Sequence, residues 1–403
     1  MADVEKLKEA ALAAVDRRRD EIVGLSRRIH ARPEIALGEH YAAESCCELL
    51  GLAGYEVRLG IGELATAFVA TLGGEEPGPA IGLVGEYDAL PGLGHACGHN
   101  LIAAAVVGAG LALADVSFTR SEVERVKDVG GQLPGTVKVF GAPAEETGVG
   151  KPAMLKAGAF EGTEVALGYH TGSRAMARGA TNGLLLMEYT FRGRASHGGQ
   201  DPWAGVSALD AVLLLFAGVN ALRQFARDGT RFHGVITNGG EAFNVTPESA
   251  TAQLAVRAPD VGYIREVTAR VIACAEGAAR ATGTRLETRE MAFFDVVKFN
   301  RSLDAVVANN MQRLGLDYAE PGAVTASSDF GNVSQVLPGI YFGTRTWGAG
   351  IAFHTREATA AAVTPMAEAA MLDGARCLAL SAIDLLTEPE HVRRAKAEFR
   401  ASS

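Results

Sequence analysis

The feature that most restricts what this chain can fold into is a unit that recurs along it. A short apolar run is followed by a loop of small and polar residues, and then by a stretch of helical periodicity. "AIGLVGEYD" (80–88) leads through "ALPGLGHACGHN" into an apolar stretch from about Leu101, which Asn100 is placed to cap. "TVKVFG" (136–141) leads into "APAEETGVGKPAMLKAG", "TEVALGYH" (163–170) into "TGSRAMARGA", and "GIYFG" (339–343) into a long final helical region. Strands alternating with helices define an α/β domain with a mainly parallel sheet covered on both faces.

The middle of the chain has another rhythm. A strand over 184–195 precedes a helix through "GVSALDAVLLLFAGVNALRQF"; two strands, "RFHGVITN" and "SATAQLAVRA", come next, then a helix from Ile264 to Thr282 and a strand "RLETREMAFF". That order, βαββαβ, is the ferredoxin-like α+β pattern, here inserted into the α/β chain. The expected organisation is a first part of the α/β domain over 1–182, the insertion over 183–297, and the second part over 298–403. Residues 4–30 read as one amphipathic helix ended near Pro33.

A chain of 403 residues can bury two separate cores. The net charge of −9, with no basic stripe, argues against a nucleic-acid surface. Five cysteines (Cys46, Cys47, Cys97, Cys274, Cys377) are too few and too scattered for a secreted disulfide framework. The N-terminal stretch is charged throughout, without the apolar core of a signal peptide, and no uninterrupted apolar run of spanning length is evident. A cytoplasmic protein without a membrane partner is the expectation.

The chemistry-bearing residues gather after the α/β strands. Cys97 and His99 follow the first, Glu145 and Glu146 the second, His170 the third, and His354 lies beyond the fourth. Ligands of open α/β sheets bind outside the carboxyl ends of the strands, so these loops converge on one edge. A thiolate, imidazoles and a carboxylate suit zinc or a similar divalent cation, and five such donors are enough for two cations sharing a bridging group. Taken singly, each residue also has an ordinary reading: a buried small hydrophobe for Cys97, a solvated pair for Glu145 and Glu146, a satisfied core imidazole for His170. Other motifs fail. "GLGHACG" has Cys97 where a dinucleotide loop needs its third glycine, "ETGVGKP" lacks the first glycine of a phosphate loop, and "SDFGN" has no companion kinase motif.

Through "GEYDALPGLGHACGHN", "GAPAEETGVGKPAMLKAGAF", "ALGYHTG", "RGRASHGGQDPWAGVSALDAV", "NVTPESATAQLAVRAP" and "SSDFGNVSQVLPG" the chain resembles the aminoacylase-type co-catalytic metallopeptidases and amidohydrolases. The similarity is to the branch of hippurate, auxin-conjugate and aminobenzoyl-glutamate hydrolases, and within it to the aminobenzoyl-glutamate and β-alanyl-dipeptide hydrolases. The resemblance implies a catalytic α/β/α domain with an inserted lid or dimerisation domain, a homodimer or higher homo-oligomer, and two divalent cations, zinc first and manganese or cobalt as alternatives. It implies Cys97, His99, Glu146, His170 and His354 as ligands, with Cys97 bridging, and Glu145 as general base. It further implies that His197 stabilises the oxyanion, from the partner protomer, and that Asn244 and Arg257 hold the substrate carboxylate. The implied reaction is hydrolysis of the amide bond of an N-acyl amino acid or dipeptide with a free carboxylate.

Two departures from the family pattern stand out. Where the wider family has His-x-Asp before "LP", this chain has Glu86-Tyr87-Asp88, so a histidine ligand is missing and Asp88 is expected to orient His99 instead. Ser328 stands where an acidic residue usually precedes "DF". Two rival readings remain: a cysteine amidase with Cys97 as nucleophile and His95 or His99 as base, and a non-catalytic binding protein on the same fold.

Overall fold

The structure, a computed structural model, describes residues 3–73, 77–117, 133–319 and 326–402. Two compact units divide the chain: one holds Met1–Ala180 and Asp329–Ser403 with the stretch beginning at Val297, the other Thr181–Val296 with the stretch ending at Ser328. The insertion thus starts two residues before the expected 183 and takes in a short return segment.

The first unit opens with helices α1 (Val4–Arg17), α2 (Arg19–Ala31) and α3 (His40–Leu52). Strands β1 (Glu56–Ile61), β2 (Leu64–Gly73) and β3 (Ala80–Glu86) follow, then helix α4 (His99–Ser117), strand β4 (Thr136–Ala142), helix α5 (Gly150–Lys156) and strand β5 (Val165–His170). The second unit contributes β6 (Gly183–Arg192), α6 (Ala208–Arg223), β7 (Arg231–Asn238), β8 (Ser249–Ala258), α7 (Val261–Thr282) and β9 (Arg285–Phe294). The chain returns through α8 (Arg301–Arg313), α9 (Phe330–Val336), β10 (Gly339–Gly343), α10 (Arg356–Ala361), α11 (Pro365–Thr387) and α12 (Pro389–Ala401).

The first sheet runs β1-β2-β4-β3-β5-β10. Its last four strands are parallel, while β1 and β2 form an antiparallel hairpin on one edge. Side chains that follow β3, β4, β5 and β10 therefore emerge at a single edge. The second sheet, β7-β8-β6-β9, is wholly antiparallel, with α6 and α7 packed against it. Strand order in sequence is the anticipated βαββαβ.

Helix α4 organises the first core. Every residue in it except Asp115 is buried, against α1, α2, α3, α11 and the sheet. Length and composition alone would let it cross a membrane, contrary to the reading that no stretch qualifies, but its apolar surface is taken up by the core. Burying its leucines and isoleucine is worth about 1.5–3 kcal/mol each, which fixes its N-terminal residue, His99, against the sheet edge.

Two local expectations are corrected. The single helix over 4–30 is two helices, broken at Arg18 (φ −92°, ψ 8°), whose guanidinium donates to Asp115 at 2.8 and 3.0 Å and to Glu21 at 2.7 Å. Asn100 does not cap α4; it lies within the first turn, its amide donating to Ser26 Oγ at 2.9 Å and to the Ala362 carbonyl at 3.3 Å.

Candidate metal centre

Each ligand candidate is set by a local device. Between Cys97 and His99 the backbone passes through Gly98 at φ +75°, where a Cβ would lie 2.8 Å from Thr171 Cγ2. That conformation is easy for glycine and costly for other residues. Thr171 in turn donates its hydroxyl to the Cys97 carbonyl at 2.7 Å, tying the loop after β3 to the loop after β5. After β4, Ala144 adopts a left-handed conformation (φ 55°) and the next residues form a short 3-10 turn, Glu145–Thr147. The buried Glu39 carboxylate holds this bend by accepting the Ala144 N–H at 2.9 Å and the Thr66 hydroxyl at 3.0 Å. His354, also at positive φ (62°), is anchored by donating its backbone N–H to the Ala96 carbonyl at 3.1 Å.

These devices bring the five candidates together. Ligand atoms of Cys97, His99 and His170 lie within 4.8 Å of one another, and so do those of Cys97, Glu146 and His354. Cys97 belongs to both groups. Cys97 Sγ stands 3.7 Å from His170 Nε2, and His354 Nε2 stands 3.4 Å from Glu146. Donors around a small tetrahedral cation stand about 3.4 Å apart, since each sits roughly 2.0–2.3 Å from it.

Asp88 fixes two of the candidates. One of its oxygens accepts His99 Nδ1–H at 2.9 Å and the other accepts the Glu146 backbone N–H at 3.0 Å. His99 consequently presents Nε2 to the cluster, and His170, whose Nδ1 bonds the Thr171 carbonyl at 2.8 Å, also presents Nε2. His99 Nε2 and Glu146 Oε1 are buried without a hydrogen-bond partner. Orphaned lone-pair donors converging beside a thiol, in a set of sulfur, nitrogen and oxygen atoms, fit a divalent cation pair.

The electrostatics follow from burial and crowding. Glu145 is pushed well above the ordinary carboxylate range by burial, then by Glu86 and Asp329. Burial, with Glu146 beside it, likewise raises the Cys97 thiol, and burial lowers His170. His99 is opposed by burial but held up by Asp88 and Cys97, while Asp88 is held down by His99 against its own burial. His95, one of the two bases considered for a cysteine nucleophile, points away: its Nε2 faces the Ile29 carbonyl at 3.2 Å.

Three charged residues that sequence reading does not assign to the site lie on its buried side. Lys151 Nζ donates to Glu86 Oε1 at 2.7 Å and to Asp329, and its backbone N–H donates to the other Asp329 oxygen at 3.0 Å. The one available signal is the departure at Glu86, a carboxylate ending an apolar strand. Aromatic rings of Tyr341 and Phe353 flank His170 at centroid distances of 5.5 and 5.6 Å.

His197, Asn244 and Arg257 belong to the second unit. His197 lies in the turn after β6, its segment bridging Val245, and Gly198 N–H donates to the Asn244 carbonyl at 2.8 Å, so His197 and Asn244 are neighbours. His197 Nδ1 accepts the N–H groups of Gly199 at 3.2 Å and Gln200 at 3.0 Å. That acceptor role places the proton of the neutral ring on Nε2, which makes Nε2 a donor. Arg257 lies on β8, paired in register with Leu184 and Arg231 rather than next to the His197 turn.

Comparison with known proteins agrees with this architecture. Residues 179–282 match the peptidase dimerisation domain. Xaa-Arg dipeptidase of Mus musculus is 34% identical over 99% of this chain and 93% of its own length. A p-aminobenzoyl-glutamate hydrolase chain of Escherichia coli is 32% identical over 75% of this chain and 64% of its own length. Among solved structures, an aminobenzoyl-glutamate utilization protein from Klebsiella pneumoniae superposes with a TM-score of 0.69 at 20% identity, over 89% of this chain and 96% of that one. A dinuclear metal-binding peptidase of the M20 family from Bacillus subtilis superposes with a TM-score of 0.66 at 21% identity, over 92% and 99%. The chain belongs to the M20 family of peptidases and amidohydrolases. It is an enzyme of the metallopeptidase and amidohydrolase class, on the fold that its motifs anticipated.

Proposed function

We propose that this enzyme uses two divalent cations to hydrolyse the amide bond of a dipeptide or N-acyl amino acid whose amine side ends in a free carboxylate. The observation that carries the reading is Cys97 at the shared corner of two donor groups, with Glu145 buried beside them. Zinc is the first expectation for a site of thiolate, imidazole and carboxylate, with manganese or cobalt as alternatives. The dipeptide class follows the Xaa-Arg dipeptidase relative, which matches over nearly the whole chain.

Bound there, the cations would polarise the scissile carbonyl and acidify the attacking water. Cys97, His99, Glu146, His170 and His354 would hold them, while Asp88 keeps His99 and Glu146 in orientation. Glu145 takes a proton from the attacking water and returns it to the leaving amine, a role for which its place beside His99 suits it. His197 donates its Nε2–H to the developing oxyanion from the partner protomer, and Asn244, beside it, and Arg257, which stands apart from that turn on one chain, receive the substrate carboxylate from different protomers. A homodimer is supported by the dimerisation-domain match and by exposed apolar residues on the second unit, among them Leu213 and Leu214 on α6 and Val235 on β7. A cytoplasmic setting is supported by five cysteines that are all unpaired.

The test is metal content measured beside hydrolysis of a panel of dipeptides and acyl-amino acids, for wild type and Glu145→Ala. The expected variant keeps both cations and loses about 10²–10⁴-fold in kcat. Wild type that hydrolyses the panel without metal, unaffected by chelators but stopped by thiol reagents, would instead identify Cys97 as a nucleophile.

A further inference from the structure

Glu86 stands where the family pattern has a histidine ligand, and its surroundings give that substitution a chemical meaning. The side chain is buried at the end of β3, with only 2% exposure. Its two oxygens have different fates. Oε1 accepts Lys151 Nζ at 2.7 Å. Oε2 is buried with no hydrogen-bond partner, 3.7 Å from His99 Nε2, which is equally without a partner.

His99 donates its Nδ1–H to Asp88 and so turns Nε2 toward Glu86. Two buried atoms of metal-ligating type, neither with a hydrogen-bond partner, thus face each other in a dry interior. At 3.7 Å they stand too far apart to hydrogen-bond to each other. Lys151 does not bridge them, since its ammonium is engaged by Oε1 and by Asp329. A divalent cation does: imidazole nitrogen and carboxylate oxygen are both ordinary ligands, and the separation is near that of two donors on one ion.

We propose that Glu86 Oε2 is a ligand of the cation held by His99, and that Lys151 and Asp329 lock it in that position. The assignment rests on the two-cation reading above. Glu86 joins His99 and Glu145 in a further group of ligand atoms within 4.8 Å of one another, beside the inner group of Cys97, His99 and His170. The outer group is Cys97, Glu146 and His354. His354 is the exposed member of the set, its side chain 52% accessible, whereas His99 and Glu86 are enclosed. The inner cation, held among enclosed side chains, is expected to be the more tightly retained, and the outer one, beside the exposed His354, the more exchangeable. Rigidity on the inner side comes from Gly150, where a Cβ would fall 1.7 Å from the Pro143 carbonyl oxygen, so α5 starts hard against the loop that leads to Glu145.

The test is a zinc titration of the chelator-treated, full-length enzyme against a chromophoric competitor, for wild type, Glu86→Gln and Glu86→Asp. Folding is followed by far-ultraviolet circular dichroism and assembly by size-exclusion chromatography. Glu86→Asp keeps the charge that Lys151 needs but withdraws the oxygen by one methylene. Wild type is expected to bind two ions, one far more tightly. Both variants are expected to lose about 10–100-fold in affinity for the tight ion and to leave the weaker one unchanged. A crystal structure of the zinc-loaded wild type is independent of how the variants fold, and should show Glu86 Oε2 about 2.0–2.2 Å from one zinc. Folded variants with two ions of wild-type affinity, or an Oε2 beyond 3 Å or so from either zinc, would overturn the assignment while leaving the two-cation reading intact. A wild type that binds no ion would overturn both.

Discussion

His95 and His99 lie four positions apart in one loop and have opposite environments. His99 is pinned by Asp88 and faces the donor cluster; His95 is buried against the Ile29 carbonyl, with its Nδ1 unpartnered. Burial, together with the nearby His99 and His30, lowers His95 to about 3. The folded protein thus keeps His95 neutral while the unfolded chain titrates near 6.5, so the unfolded state binds more protons in between. The stability due to the neutral ring is complete above roughly pH 6.5 and is lost as pH falls toward 3, at up to about 1.4 kcal/mol per pH unit. His95→Gln should flatten the pH dependence of urea unfolding of the chelator-treated protein between pH 4 and 6; an unchanged slope would mean that His95 is not held neutral. At this scale sequence reading separates the ligand candidates from the rest only by where they fall after strands. It leaves His95 and His99 as equal candidates for a cysteine base, because neither their composition nor their spacing tells which imidazole turns inward. Lys151 and Asp329 are harder still, since a salt bridge between residues 178 positions apart leaves no local trace.

Among the elements, those with a strong period are legible. The parallel strands β3, β5 and β10 are nearly continuous apolar runs, as strands covered on both faces are, with β4 interrupted by Lys138, and the insertion's strands are set off by clear helices. β1 is mostly exposed and carries no such pattern, so the β1–β2 hairpin escapes a reading by periodicity. The break at Arg18 escapes it too, because a long-range guanidinium–carboxylate contact makes it, with neither proline nor glycine at the site. Gly98 is a feature whose importance only the element geometry shows. Gly98→Ala would force a left-handed alanine, at about 1–2 kcal/mol, into contact with Thr171, whose hydroxyl holds the Cys97 carbonyl. The expected outcome is a lower thermal midpoint together with weaker binding of both proposed cations, because Cys97 belongs to both donor groups. Calorimetry and a chelator titration on the same sample check it. A lower midpoint with unaltered cation binding would separate the turn from the site.

At the scale of the whole molecule, the second unit bears a fold whose sheet ends in an exposed strand, β7, and whose α6 shows leucines to solvent. Unpaired strand edges and apolar helix faces are the surfaces that proteins cover by association. In the proposed dimer, His197 of one protomer completes the site of the other, so each site draws its general base and its oxyanion donor from different chains. That arrangement has a consequence that activity of single variants cannot imitate. His197→Ala and Glu145→Ala are each expected to be nearly inactive as homodimers. Unfolded together and refolded as an equal mixture, half of the dimers formed at random combine the two chains. Each such dimer has one site with an intact Glu145 facing an intact His197, and one site with neither, so about a quarter of wild-type activity should return. If His197 instead served its own chain, every site in the mixture would lack one of the two groups and no activity would return. Size-exclusion chromatography of the refolded mixture, with one variant carrying a mass tag, confirms that mixed dimers formed before either result is read.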